Sequence, residues 1–284
     1  MTFLVPPEKS RSAGHGALAV VLALTLAGCG RARTPPTLPA STASRPPPAT
    51  GYVAPPALTT ARPAGNVLRL DGSAPGGSEV TLAAPDGRAF RARAGADGRW
   101  ALSLPATAEP GLFALWAQAG PRTVRAEGAV LLLPEPGPPA VLVRAGFAAL
   151  PLEQGTSAPV ISAVDYDVGG GAAVAGLARP MARVRLSIDG AAAGLGQADE
   201  VGRFAVIAAN RTLAPGVRRL QVETDAGRAE ASAPVSAPAL PAGRAYRAAR
   251  EQGAWRIDWT PAGGGVQTTL VFDRPGAVGS AGPR

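Results

Sequence analysis

The chain has 284 residues, one cysteine, one histidine and a formal net charge of +8, with 36 glycines, 30 prolines and 5% aromatic residues. A lone cysteine cannot close an internal disulfide, and no apolar run reaches the roughly 20 residues that a membrane-spanning helix needs, so disulfide scaffolds and helical membrane bundles are excluded. Lys9 is the only lysine, so the positive charge is carried by arginine. Such an excess suits an anionic partner such as lipid headgroups, lipopolysaccharide, anionic glycan or nucleic acid. The arginines are scattered singly, however, and with almost no lysine they read more simply as the composition of a GC-rich genome.

At the amino end, Lys9 and Arg11 precede an apolar run from Gly16 to Ala27, the pattern of an export signal over residues 1–28. The run ends in Leu26-Ala27-Gly28-Cys29, which resembles the lipobox of bacterial lipoproteins. That resemblance implies cleavage before Cys29, a thioether from its sulfur to diacylglycerol and acylation of the new amino group. Several acyl chains give durable membrane attachment where one gives only marginal binding. Gly30 follows where enterobacterial lipoproteins retained in the inner membrane carry aspartate, so the resemblance points to the outer membrane, facing the periplasm.

Loss of residues 1–28 removes His15 and Lys9, leaving a mature chain without histidine, lysine or a free thiol. Ser-His-Asp, Cys-His and Ser-Lys nucleophile systems are then unavailable, as are histidine- and thiolate-based metal sites. A carboxylate pair of the glycosidase kind remains available, and no spacing singles one out. No cofactor or catalytic residue is expected.

Residues 29–65 are rich in Pro, Ala, Ser and Thr without an apolar period, and are expected to form a disordered tether. At about 3.1 Å per residue it would reach up to roughly 100 Å from the lipid. Beyond it the period becomes two. Val80 and Leu82 alternate with polar neighbours, as do Trp100, Leu102 and Leu104, then Val184, Leu186 and Ile188, then Leu220 and Val222. Asp86-Gly87, Asp97-Gly98 and Asp189-Gly190 supply turns between them, and short strands at this spacing predict antiparallel sandwiches.

The strand-bearing region repeats. Gly72 and Gly176 stand 104 residues apart, as do Gly98-Arg99-Trp100 and Gly202-Arg203-Phe204, while Pro110-Gly111 matches Pro215-Gly216 at 105. Two copies of one domain follow, over residues 66–152 and 158–239, with Trp100 and Phe204 as core anchors. The stretch from VISAVDYD to VGRFAV, with LAPGVRRLQVETDAG after it, resembles bacterial Ig-like domains of alphaproteobacterial envelope proteins, where they often precede a peptidoglycan-binding LysM module. The resemblance implies an Ig-like spacer or adhesion module. No LysM pattern follows residue 240, so peptidoglycan binding does not carry over.

Residues 240–273 read as a three-stranded meander with Trp255, Ile257 and Trp259 on one face and Arg256, Asp258 and Thr260 on the other. That sheet must bury its apolar face, either by docking on the second sandwich or by meeting a partner through Trp255 and Trp259. The tail, 274–284, is expected to be disordered. Asp165-Tyr166-Asp167 before Gly169 to Gly171 places two carboxylates on one strand face, a weak candidate for calcium that fits a polar strand edge as well. The chain therefore reads as an all-β, lipid-anchored, non-enzymatic envelope protein. Its partners would be membrane lipid through Cys29 and an envelope protein or glycan, not nucleic acid. A carboxylate-dependent glycan-acting enzyme, or an accessory subunit of an envelope enzyme, is the alternative.

Overall fold

The computed structural model describes residues 52–209 and 212–273, so the export signal, Cys29, most of the proline-rich stretch and the tail lie outside the described residues. Every regular element within them is a β-strand. The first sandwich is built from β1 (Ala57–Ala64), β2 (Val67–Ser73), β3 (Glu79–Ala83), β4 (Ala89–Arg93), β5 (Arg99–Pro105), β6 (Gly111–Ala119), β7 (Arg122–Leu132), β8 (Ala140–Val143) and β9 (Leu150–Pro151). Sheet I has the order β1-β2-β5 and sheet II the order β4-β3-β6-β7-β8-β9, all antiparallel. Between them lie Leu70, Val80, Leu82, Trp100, Leu115 and Val130, each of them buried.

The second sandwich repeats this plan with β10 (Val160–Asp167), β11 (Ala172–Leu177), β12 (Arg183–Ile188), β13 (Ala191–Gln197), β14 (Arg203–Ile207), β15 (Gly216–Thr224) and β16 (Gly227–Val235). The meander adds β17 (Tyr246–Glu251), β18 (Ala254–Trp259) and β19 (Gln267–Phe272). Sheet III runs β14-β11-β10-β19-β18-β17 and sheet IV runs β13-β12-β15-β16. The chain is thus an all-β pair of Ig-like sandwiches with a three-stranded extension.

The duplication extends to single hydrogen bonds. Ala74 N donates to Gly98 O and Ala178 N to Gly202 O, both at 2.8 Å; Ala94 N donates to Ser78 O and Ala198 N to Ala182 O, both at 2.9 Å. Both first strands carry a bulge at the same point, between Leu58 and Thr60 in β1 and between Ile161 and Ala163 in β10. Gly72 is the cross-strand partner of Trp100 and Gly176 that of Phe204, and each ring lies over its glycine. A Cβ at Gly72 would overlap the Ala57 carbonyl oxygen and the indole. One at Gly176 would overlap the Val160 carbonyl oxygen and come within 2.6 Å of the Phe204 ring. The glycines are therefore half of each aromatic anchor.

Three expectations change. The tether does not run to residue 65, because residues 57–64 are strand β1: Leu58 is buried in the first core, and Pro63 sits on an edge strand where its missing N–H costs no ladder bond. The meander is not a separate sheet, because β19 pairs with β10 from Ala163↔Val271 to Asp167↔Gln267 and so widens sheet III to six strands. Arg256 and Asp258 do not face water, because their face of the meander continues the inner face of sheet III and both side chains are buried.

Sheets II and III pack face to face. Leu112, Leu131, Val141 and Val143 of sheet II meet Ile257, Trp259 and Val271 of sheet III in one buried cluster. Four sheets thus make three apolar layers, one inside each sandwich and one between them. Gly176→Ala should destabilise the protein by roughly 3 kcal/mol, since backbone and ring must both move to admit one methyl group. Gly190→Ala, where φ is +80° and a Cβ meets nothing, should cost about 1 kcal/mol. Urea unfolding of the two variants reads the difference.

Candidate functional site

Sheet III, on the two faces of β10, β18 and β19, holds most of the buried polar side chains among the described residues. Asp165 lies in β10, a strand whose residues 161–166 are all buried, and it faces sheet II. Directly across the ladder, Thr269 Oγ1 donates to Asp165 Oδ1 at 2.5 Å, and Gln267 Nε2 donates to the same oxygen at 3.2 Å. From the first sandwich, Ala149 N donates to Asp165 Oδ2 at 2.5 Å, and Gly146 N donates to Gln267 Oε1 at 3.3 Å. Tyr246 Oη closes a further point of the junction by donating to Pro110 O at 3.1 Å. Burial pushes the Asp165 carboxyl up to about 6, against the pull of Thr269, the Ala149 N–H, Gln267 and the Arg144 charge. Desolvation outweighs three hydrogen bonds here because the group lies between two sheets.

Trp255 and Trp259 are in this junction and not on a free surface. Trp259 is 3% exposed, and its Nε1 donates to Thr269 Oγ1 at 3.1 Å. Trp255 is half-buried against the same cluster, with the Arg250 guanidinium 5.3 Å from its ring. Their shared face is apolar, as the alternation predicts, but the first sandwich occupies it, so neither serves as an exposed anchor for a partner. The opposite face holds a buried ion pair, Arg256 Nη2 to Asp258 Oδ1 at 3.0 Å. Arg256 also donates to Ala237 O at 3.0 Å, to Tyr166 Oη at 3.2 Å and to Ser236 Oγ, while Thr268 Oγ1 donates to Asp258 at 2.5 Å. This network ties the connection at residues 236–237 to the meander.

Two clefts open at opposite ends of β10. The smaller, 160 Å³, is bordered by Asp165, Asp167 and Gln267, with Phe147 and Ile207 exposed at its mouth. The larger, 350 Å³, has Ile161, Leu177 and Phe272 on its floor and Glu153 and Asp273 at its rim; Arg250 Nη1 donates to Asp273 at 2.8 Å. The two carboxylates weighed for calcium do border one cleft, but both oxygens of Asp165 and Oδ1 of Asp167 are engaged. Asp167 Oδ1 accepts from Gly169 N at 2.8 Å and Gly171 N at 3.2 Å, capping the turn that follows β10. Nor is β10 an edge, since β11 and β19 flank it. Among the described residues no group of three or more His, Cys, Asp or Glu side chains is placed to hold a metal ion.

Sequence reasoning missed the set Asp165, Gln267 and Thr269 because it spans more than a hundred residues and exists only through the pairing of β10 with β19. Polar side chains at buried positions of an otherwise apolar strand carry no local signal that distinguishes them from solvent-facing ones.

No family model and no curated protein matches the chain. Among solved structures, the central fibronectin-III array of RIM-binding protein is similar at 16% identity with a TM-score of 0.25, over 74% of this chain and 72% of that one. The Ig-like assignment stands on the strand order and registers given above.

The Asp165 carboxyl should impose a measurable pH dependence. Its folded value, about 6, lies above its ordinary 3.8, so folding takes up a proton between the two. The stability this contributes is fully present below about pH 4 and is lost as pH rises through about 6, by about 3 kcal/mol. In urea unfolding at a series of pH values, the stability of the natural chain minus that of Asp165→Asn should fall across this window and be flat above it. A difference that does not change between pH 4 and 7 would refute the assignment.

Proposed function

We propose that the chain is a non-enzymatic, lipid-anchored module of a bacterial cell envelope, in which two Ig-like sandwiches form one body that binds or scaffolds an envelope component near the membrane. The observation that carries this reading is the Leu26-Ala27-Gly28-Cys29 tetrapeptide at the end of an export signal. Lipid attachment is at Cys29. Glycine at position 30 supports the outer membrane, with the body in the periplasm.

The structure supports a scaffold in a second way. The apolar layer between sheets II and III, with Trp259 and Ile257 buried in it, fixes the two sandwiches against each other where a flexible hinge would let them tumble. A body of that kind transmits a set spacing and orientation. The two fully buried carboxylates among the described residues, Asp165 and Asp258, are committed to hydrogen-bond donors that hold sheets together, which favours a structural over a hydrolytic use.

The test is metabolic labelling with a clickable fatty acid in a bacterial host, followed by membrane fractionation. The natural chain should take up the label and sediment with membranes, and Cys29→Ser should lose both properties. Label retained on the Cys29→Ser protein would overturn the reading.

A further inference from the structure

The outer face of sheet I carries a concentration of positive charge that folding does not explain. A groove of 770 Å³ runs across β1, β2 and β5 and past the end of β4, lined by Arg62, Arg69, Arg93 and Arg99 together with Asp71 and Ser73. Arg62 and Arg69 are direct cross-strand partners, a like-charge pairing that disfavours the sheet. The counter-charges are few and loose: Arg69 to Asp71 is 3.5 Å with the arginine side chain 61% exposed, and Arg99 to Asp97 is 3.7 Å with the arginine 88% exposed. Arg62 and Arg93 make no ion pair among the described residues.

The internal repeat supplies a control for this face. By the shared register, Arg62 corresponds to Asp165, Arg69 to Ala173, Asp71 to Ala175 and Ser73 to Leu177. In the second copy these positions are buried, and they turn toward the first sandwich. One geometric face has thus been built twice, once buried beneath a neighbouring sheet with alanine, leucine and a hydrogen-bonded Asp165, and once with arginine in the open. A third sandwich could not dock on the arginine version without burying unpaired charge.

We propose that this groove binds an anionic polysaccharide carrying carboxylate or phosphate groups. Guanidinium forks match both groups in bidentate geometry. Trp100 borders it but is 3% exposed, its ring turned into the first core over Gly72, and none of the exposed large hydrophobic side chains lines it, so it offers neither the aromatic platform that single-stranded nucleic acid stacks on nor the apolar side chains that enter a bilayer. The choice of a glycan rests on the envelope reading above, whereas the charge of the groove does not.

The test uses the full chain carrying Cys29→Ser, so that no acyl group contributes to vesicle binding. Polygalacturonate is the anionic probe, with dextran as the neutral glycan and phosphatidylglycerol vesicles as the lipid probe. Polygalacturonate should bind, more weakly as salt rises, and dextran should not. Arg62→Ser with Arg69→Ser should weaken binding by about tenfold or more, while Arg183→Ser with Arg228→Ser, which removes equal charge from sheet IV, should change it by about twofold or less. The melting temperature should fall in neither, and removal of the Arg62–Arg69 repulsion should leave it equal or slightly higher. Failure to bind polygalacturonate, equal losses in the two double variants, or binding to vesicles alone would overturn the proposal. A chain that fails the labelling test yet binds polygalacturonate through Arg62 and Arg69 would remove the envelope reading and keep the groove. A labelled chain that does not bind would do the reverse.

Discussion

The packing of sheet II on sheet III is the constraint from which the rest of the molecule follows. A strand at the centre of a sheet covered on both sides has no face left for water, and must be apolar on both. That is why residues 161–166, all six of β11 and all six of β19 are buried, whereas β12, with solvent on one side, alternates between buried and exposed. It is also why the polar side chains that remain in sheet III have partners. Asp165 takes three donors, and Arg256 and Asp258 neutralise each other within a ring of hydroxyls and carbonyls. An unpaired charge at either place would cost several kcal/mol.

The same constraint divides what the sequence discloses from what it conceals. Strands with one wet face announce themselves by period two, so β5, β12 and β15 could be placed from Trp100, Val184 and Leu220 with their neighbours, and β3 from Val80 and Leu82 although Thr81 between them is buried as well. The repeat marks Gly72 with Gly176 and Trp100 with Phe204 as equivalent positions, but that each ring covers its glycine is set by the cross-strand register. Strand β1 was hidden because ALTTARPA has the composition of the tether before it, and Leu58 alone marks its burial. In β18 the alternation Trp255-Arg256-Ile257-Asp258-Trp259 was real, but alternation reports only that two faces differ. Here the charged face is as deeply buried as the aromatic one, because Tyr166, Ser236 and Thr268 cover it. What a face meets depends on pairing between β10 and β19, about a hundred residues apart, which leaves no trace in a local window.

The two copies share seven strands and then diverge in where they are enlarged. The first adds β8 and β9 to its second sheet, and the second adds β19, β18 and β17 to its first. Both additions fall on the sheets that meet. Val141 and Val143 come from one enlargement, and Ile257, Trp259 and Val271 from the other. The original seven-strand plan therefore supplies the two separate cores, and the added strands supply much of the contact that unites them. The unenlarged sheets, I and IV, are the outer layers, which leaves their far faces free to carry charge.

Strand β19 lies between β10 and β18 although it is the last strand among the described residues, which sets an order of assembly. As the polypeptide emerges amino end first, sheet I and most of the first core can form early, but sheet III keeps β10 as an open edge until residue 272 has appeared. Until then Leu131 and Val141 on one sandwich and Ala163 on the other lack their cover. Closure of the molecule is a late, long-range event, of the kind that slows folding and exposes sticky edges to neighbouring chains. A chain cut short by about ten residues before Asp273 would therefore lose more than a terminal strand, since the incomplete product would present an unpaired sheet edge and the bare flanks of both halves.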